Sequence, residues 1–161
     1  SRGRGDVYKR QKGMKNIDYT TGDLISPWAD VKMDVHNIPF EENSFDVVIC
    51  NHVLEHVDDS NKVMREFYRV MRPGGWGIFQ VPIDNNNPNT IEDKSVTDPK
   101  ERERLYWQSD HLRLFGRDYG DRLSKAGFKV TESNYINELD PKLVERYALP
   151  KNEKVYFCEK I

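Results

Sequence analysis

The run SFDVVIC, Ser44–Cys50, is apolar with little alternation, which is the pattern of a strand covered on both faces. Strands of that kind occur almost only in parallel sheets flanked by helices. The next residues along the chain support the same class. Asp58, Asp59 and Ser60 suit the N-terminus of a helix, by side-chain capping and by charge against its dipole. Val63, Phe67, Val70 and Met71 then fall on one helical face. Arg72-Pro73-Gly74-Gly75 ends that helix, and WGIFQVP, Trp76–Pro82, reads as a second buried strand.

The remaining segments extend the alternation. KNIDYTTGDL predicts a short strand ending near Asp23, and Ala29–Val35 a second one, followed by a turn at Ile38-Pro39-Phe40. A polar, Asn-rich loop spans Asp84–Thr97. Asp98, Pro99 and Glu101 form a helix start with a cap, a proline in the first turn and an acid three residues after the cap; that helix reaches about Gln108. Another helix is expected over Arg117–Ala126, stopped by Gly127. FKVTESNYI and KVYFCEK are strands, paired antiparallel with each other. Strands alternating with helices give an α/β fold whose sheet is mostly parallel, with an antiparallel C-terminal strand.

Composition narrows the partners. Among 161 residues, 37% are hydrophobic and 11% aromatic, enough for a packed core rather than a disordered chain. Net charge is −2 with acids and bases intermixed, so no basic stripe for nucleic acid is visible. No apolar run approaches a membrane span, and no signal peptide is visible. The two cysteines, Cys50 and Cys158, sit far apart in strand-like runs and read as reduced, buried thiols of a cytoplasmic protein. No set of metal ligands is expected, and oligomeric state is not encoded in any visible pattern.

In open parallel sheets, ligands bind outside the carboxyl ends of the strands. Asn51, His52, Glu55 and His56 follow such an end, which makes them candidate site residues. The blocks DVHNIPFEENSFDVVI, HVLEHV, EFYRVMRPGG and HLRLFGRDYGDRLSKAGFKV together resemble the class I S-adenosylmethionine-dependent methyltransferases, in their small-molecule "type 11" branch. The resemblance implies a Rossmann-like sheet and S-adenosylmethionine as the methyl donor. It implies that Asp23, with Leu24 beside it, binds the ribose hydroxyls, that Asp34 holds the adenine amine and that Val35 packs on the adenine. Asn51 and His52 would lie near the methionine part and the methyl group. His52 and His111 are the candidate catalytic bases, with His56 a further histidine to weigh; Glu55 reads as a solvated acid at a helix start. Residues 84–111 form an insertion on the acceptor side, where Trp28, Tyr106 and Trp107 offer aromatic surface. The expected acceptor is a small molecule.

The family's first strand and glycine-rich loop have no counterpart, since the glycines of SRGRGD lack a strand before them. Residues 1–12 are therefore expected to be a non-native or disordered arm, and residues 13–161 a partial, N-terminally truncated methyltransferase domain with impaired donor binding. Two other functions stay open on the sequence: a non-catalytic methyltransferase-like binding module, and a nucleotide-dependent oxidoreductase on a related sheet.

Overall fold

A computed structural model describes residues 14, 16–150 and 153–161. They fall into two compact units divided after Pro39. The expected N-terminal arm, residues 1–12, lies outside the described residues.

In the first unit, β1 (Gly22–Asp23) pairs in parallel with β2 (Val31–Lys32), in the register Gly22 to Val31 and Asp23 to Lys32. Both strands are far shorter than the sequence pattern suggests. Local side-chain bonds take over the backbone groups a longer ladder would use. The Asp30 carboxylate accepts from the Thr21 N–H at 2.9 Å and the Thr21 hydroxyl at 2.6 Å. The Asp23 carboxylate accepts from the Ile25 and Ser26 N–H groups, at 2.8 and 2.7 Å.

The second unit, Phe40–Ile161, is built on a four-stranded sheet. Its strands are β3 (Phe45–Asn51), β4 (Met71–Gln80), β5 (Lys129–Ser133) and β6 (Val155–Glu159), in the order β3-β4-β6-β5. β3 and β4 are parallel, while β6 runs antiparallel to both β4 and β5. Three strands thus share one direction and the C-terminal strand opposes them, as expected from the sequence.

Helix α1 (Ser60–Val70) is capped by Asp59, whose carboxylate accepts from the Lys62 N–H at 2.9 Å. It buries Val63, Met64, Phe67 and Val70 on one face of the sheet, where Phe67 stacks on Phe79 at 5.0 Å between ring centroids. Each such side chain contributes about 1.5–3 kcal/mol by leaving water. Helix α2 (Pro99–Tyr106) starts at the expected cap, Asp98, which accepts from the Glu101 N–H. Helix α3 (Tyr119–Lys125) buries Tyr119 and Leu123, and Tyr119 meets Tyr156 of β6 edge to face. A 3-10 turn (Tyr135–Glu138) and the short helix α4 (Pro141–Arg146) lie between β5 and β6.

Two expectations need correction. The segment Arg72-Pro73-Gly74-Gly75 does not separate α1 from a strand; β4 begins at Met71 and these residues form an irregularity inside it, between the Phe45–Met71 and Val47–Trp76 pairs. Gly74 takes φ +79°, which a side chain would strain, and a Cβ on Gly75 would stand 2.7 Å from the Asp46 carbonyl oxygen and obstruct the bulge. Nor is β3 covered on both faces. Val47 and Ile49 are 38% and 54% exposed, because the described helices pack on the opposite face, with Phe79 and Cys158.

Candidate functional site

The two acids of the first unit lie at the same end of the parallel β1–β2 pair. Asp23 closes β1, and Asp34 comes two residues after β2. Both are exposed. The Ser26 N–H, then the Ile25 N–H, holds the Asp23 carboxyl below its ordinary range. Asp34 Oδ1 accepts from the His36 N–H at 2.9 Å and lies 2.7 Å from His36 Nδ1. Leu24 is more than half exposed and Val35 is half-buried. Trp28 is 88% exposed.

In the second unit, chemistry gathers where β3 and β4 end. Asn51 closes β3 opposite Gln80, and His52 adds one more rung, its N–H donating to the Gln80 carbonyl at 2.8 Å. His52 then turns sharply, with φ +56°. A non-glycine residue in the left-handed region carries strain, and such strain collects at functional sites. Trp107, at the C-terminal end of α2, also sits there, at φ +73°. Both line one cavity of about 410 Å³, with Val81, Ile83, Lys154 and Tyr156 among the other walls. This is the crevice beyond the carboxyl ends of parallel strands, where α/β sheets take their ligands. A second hollow, of about 500 Å³, lies at the start of α1; its walls include Asp58, Asp59, Glu92, Lys94 and Arg122, and it offers little apolar surface to a ring.

Behind His52 the segment Leu54–Asp58 is stitched to residues far along the chain. The buried Arg113 guanidinium donates to the carbonyls of Leu54 (2.6 Å), Val57 (2.5 Å) and Asp58 (3.1 Å), and to the Glu92 carboxylate at 2.8 Å. The Leu112 N–H donates to the Glu55 carbonyl at 2.8 Å. This fastening brings HVLEHV and HLRLF together. Glu55, expected to be solvated, is 1% exposed. Its charge and, above it, burial push the Cys50 thiol up to about 12. Cys50 and Cys158 are both free thiols, the first half-buried and the second buried.

His111 is 1% exposed, and its Nδ1 lies 2.8 Å from the Tyr106 carbonyl. His52, by contrast, exposes 59% of its side chain. The described residues therefore bring Asn51, His52, Glu55, His56 and His111 into the second unit and leave Asp23, Leu24, Asp34 and Val35 in the first. Arg113 lies within the block HLRLFGRDYGDRLSKAGFKV, which gives it no role, and the burial of Glu55 runs against its pattern. A charged residue within the apolar run LRLF is the one signal the sequence carries for Arg113.

The sequence matches a family model described as a methyltransferase domain over residues 9–79. A sterol 24-C-methyltransferase of Schizosaccharomyces pombe is 30% identical over 125 residues, which cover 74% of this chain and 31% of that protein. A ubiquinone biosynthesis O-methyltransferase of Bordetella avium is 36% identical over 69 residues, 39% of this chain and 28% of that protein. The chain spans from 17% to 37% of the length of such curated relatives. Among solved structures, Burkholderia thailandensis 1,6-didemethyltoxoflavin-N1-methyltransferase, with S-adenosylhomocysteine bound, superposes with a TM-score of 0.61 at 16% identity, over 99% of this chain and 67% of that one. That likeness shows the fold, a Rossmann-like methyltransferase sheet. The family match over residues 9–79 and these relatives agree that the chain is similar to the class I S-adenosylmethionine-dependent methyltransferases, and the strand order with its antiparallel strand is that of their sheet.

Proposed function

We propose that the protein transfers a methyl group from S-adenosylmethionine to a small-molecule acceptor, at the cavity beyond the ends of β3 and β4. The single observation behind this is that cavity itself: largely apolar walls, two left-handed residues, and a histidine at its rim. The named activities of the relatives, on quinone, sterol and toxoflavin compounds, support a small acceptor.

Methyl transfer from a sulfonium is an in-line displacement. The donor carries its own activation, so the protein mainly aligns the nucleophile and keeps water out, and alignment of this kind supplies about 7–11 kcal/mol. A base is needed only when the acceptor arrives protonated. His52 suits that task because its ring is accessible, and a histidine changes charge near neutral pH. His111 is enclosed by protein, so the base role goes to His52 alone. Asn51 faces the methionine end of the donor in this proposal, and Trp107 the acceptor. Asp23 and Leu24 serve the ribose, Asp34 and Val35 the adenine. The Asp23 carboxylate uses Oδ1 in a local turn, yet a carboxylate has about four lone-pair sites and can accept ligand hydroxyl hydrogens as well. The two-residue strands, one ending at Asp23 and the other two residues before Asp34, favour weak donor binding by these 161 residues.

The test is a pair of NMR titrations of this chain, with S-adenosylhomocysteine and with NADH. Millimolar S-adenosylhomocysteine should move the His52 ring and Trp107 indole signals, and NADH should not. The opposite pattern, or no response to S-adenosylhomocysteine up to its solubility, overturns the assignment. Micromolar affinity by calorimetry would refute only the weak-binding part.

A further inference from the structure

Glu55, His56 and His111 each offer one ligand-type atom, and those atoms lie within 4.8 Å of one another. We infer that these three side chains form a binding site for a divalent first-row transition ion of the zinc type. The inference is independent of the methyl-transfer reading, which needs no metal.

Hydrogen bonding fixes which atoms point inward. His111 Nδ1 lies 2.8 Å from the Tyr106 carbonyl oxygen, and a carbonyl can only accept. Nδ1 therefore carries the proton, and in the neutral ring Nε2 presents a lone pair. That Nε2 is buried and has no hydrogen-bond partner. Glu55 Oε2 is likewise buried and unpartnered, in a side chain only 2% exposed. A buried lone pair and a buried carboxylate oxygen, each without a partner, are costly in a protein interior. A cation between them satisfies both at once. A proton on His111 Nε2 would not, because no acceptor lies within hydrogen-bond reach of it.

His56 completes the set in the same way. Its Nδ1 lies 3.3 Å from Asp110 Oδ2, and its Nε2 turns toward Glu55 Oε1 at 4.0 Å. Each histidine thus has an oxygen behind Nδ1, one a carboxylate and one a backbone carbonyl. That is how ligating imidazoles are oriented in metal sites. The two rings meet edge to face, at 4.7 Å between centroids and 83°. Ring packing alone accounts for neither orphaned atom.

Two imidazoles and one carboxylate suit zinc and its neighbours, whereas calcium and magnesium prefer shells of oxygen. A tetrahedral ion with bonds of about 2.1 Å holds its ligand atoms about 3.4 Å apart, so the triad closes with shifts of about 0.7 Å or less per side chain. Three protein ligands leave a coordination position for water or a ligand oxygen, the arrangement of catalytic rather than structural zinc sites. The His56 side chain, 34% exposed, provides the way in.

Calorimetry of the chelator-treated 161-residue chain with zinc chloride tests this, alongside visible spectra of the cobalt-loaded form. One equivalent should bind, raise the thermal midpoint and give the d–d absorption of a nitrogen- and oxygen-ligated site. Glu55→Gln and His111→Gln should abolish binding; because both positions are buried, His56→Ala is the decisive ligand variant. It should keep the fold and weaken zinc binding at least 100-fold. Asp110→Ala, at an exposed position behind His56, should weaken it by about 10–100-fold. Absence of zinc binding at millimolar concentration, or binding that His56→Ala leaves unchanged, overturns the inference.

Discussion

Replacing Arg113 by methionine should cost about 3–5 kcal/mol of stability. The side chain is 1% exposed and donates to three carbonyls and one carboxylate. Its partners Leu54, Val57 and Asp58 stand 59, 56 and 55 positions away in sequence, so nothing local replaces it. Hydrogen bonds to a charged group are worth about 1.5–3 kcal/mol each, but they do not add within one network. Removing one member of a buried charged pair costs about 3–5 kcal/mol, and that bounds the total. Glu92 is 27% exposed and recovers some solvation, which keeps the loss from exceeding this range. A domain's whole stability is about 5–15 kcal/mol, so the variant sits close to unfolding. Arg113→Lys keeps the charge but not the planar fork and should lose roughly half as much. Urea titrations monitored by circular dichroism and by tryptophan fluorescence measure this, with coincident curves required before a free energy is taken. If methionine costs less than about 1 kcal/mol, or lysine as much as methionine, then Arg113 is not what fastens the Leu54–Asp58 segment.

Alkaline pH provides a second test. Burial raises the Cys158 thiol from 9.0 to about 12 in the folded protein. A raised folded value means that the stabilisation is complete below pH 9.0 and is lost as pH climbs toward about 12. At about pH 10.5 the Cys158 share of the loss is ~2 kcal/mol. Cys158→Val should therefore lose ~2 kcal/mol less than the wild type between about pH 8 and pH 10.5, in urea midpoints measured at both. Equal losses would show that the thiol does not titrate as described. Asp98→Ala should destabilise by about 1 kcal/mol by removing the cap of α2, while Asp98→Asn, which keeps an acceptor, stays within a few tenths of the wild type in the same urea assay.

Much of the scaffold was legible because its signals are local. Asp59 and Asp98 cap their helices as their spacing implied, since a side-chain oxygen two or three residues from an N–H needs no distant partner. The antiparallel pairing of β5 and β6 agrees with two strand-like runs near the C-terminus. Errors arose where a pattern depends on what covers it. SFDVVIC is apolar on both sides, yet burial is a property of neighbours, and Val47 and Ile49 face away from α1. Arg72-Pro73-Gly74-Gly75 carries the residues of a helix stop, but β4 pairs across it and absorbs it as a bulge. The strands before Asp23 and Asp34 shrank because Asp30 and Asp23 bind nearby N–H groups themselves.

By itself the sequence determined the alternation of strands and helices, the caps, and the placing of Asn51 and His52 at a strand's carboxyl end. All of that rests on periodicity and on interactions within a few residues. Only the tertiary structure decided that Glu55 is buried, that ligand-type atoms of Glu55, His56 and His111 come within 4.8 Å of one another, and that Arg113 binds the segment carrying Glu55 and His56. Those facts depend on which side chains meet across more than fifty positions of chain. A one-dimensional pattern does not record such meetings, because they are set by how packed elements bring distant segments to the same place.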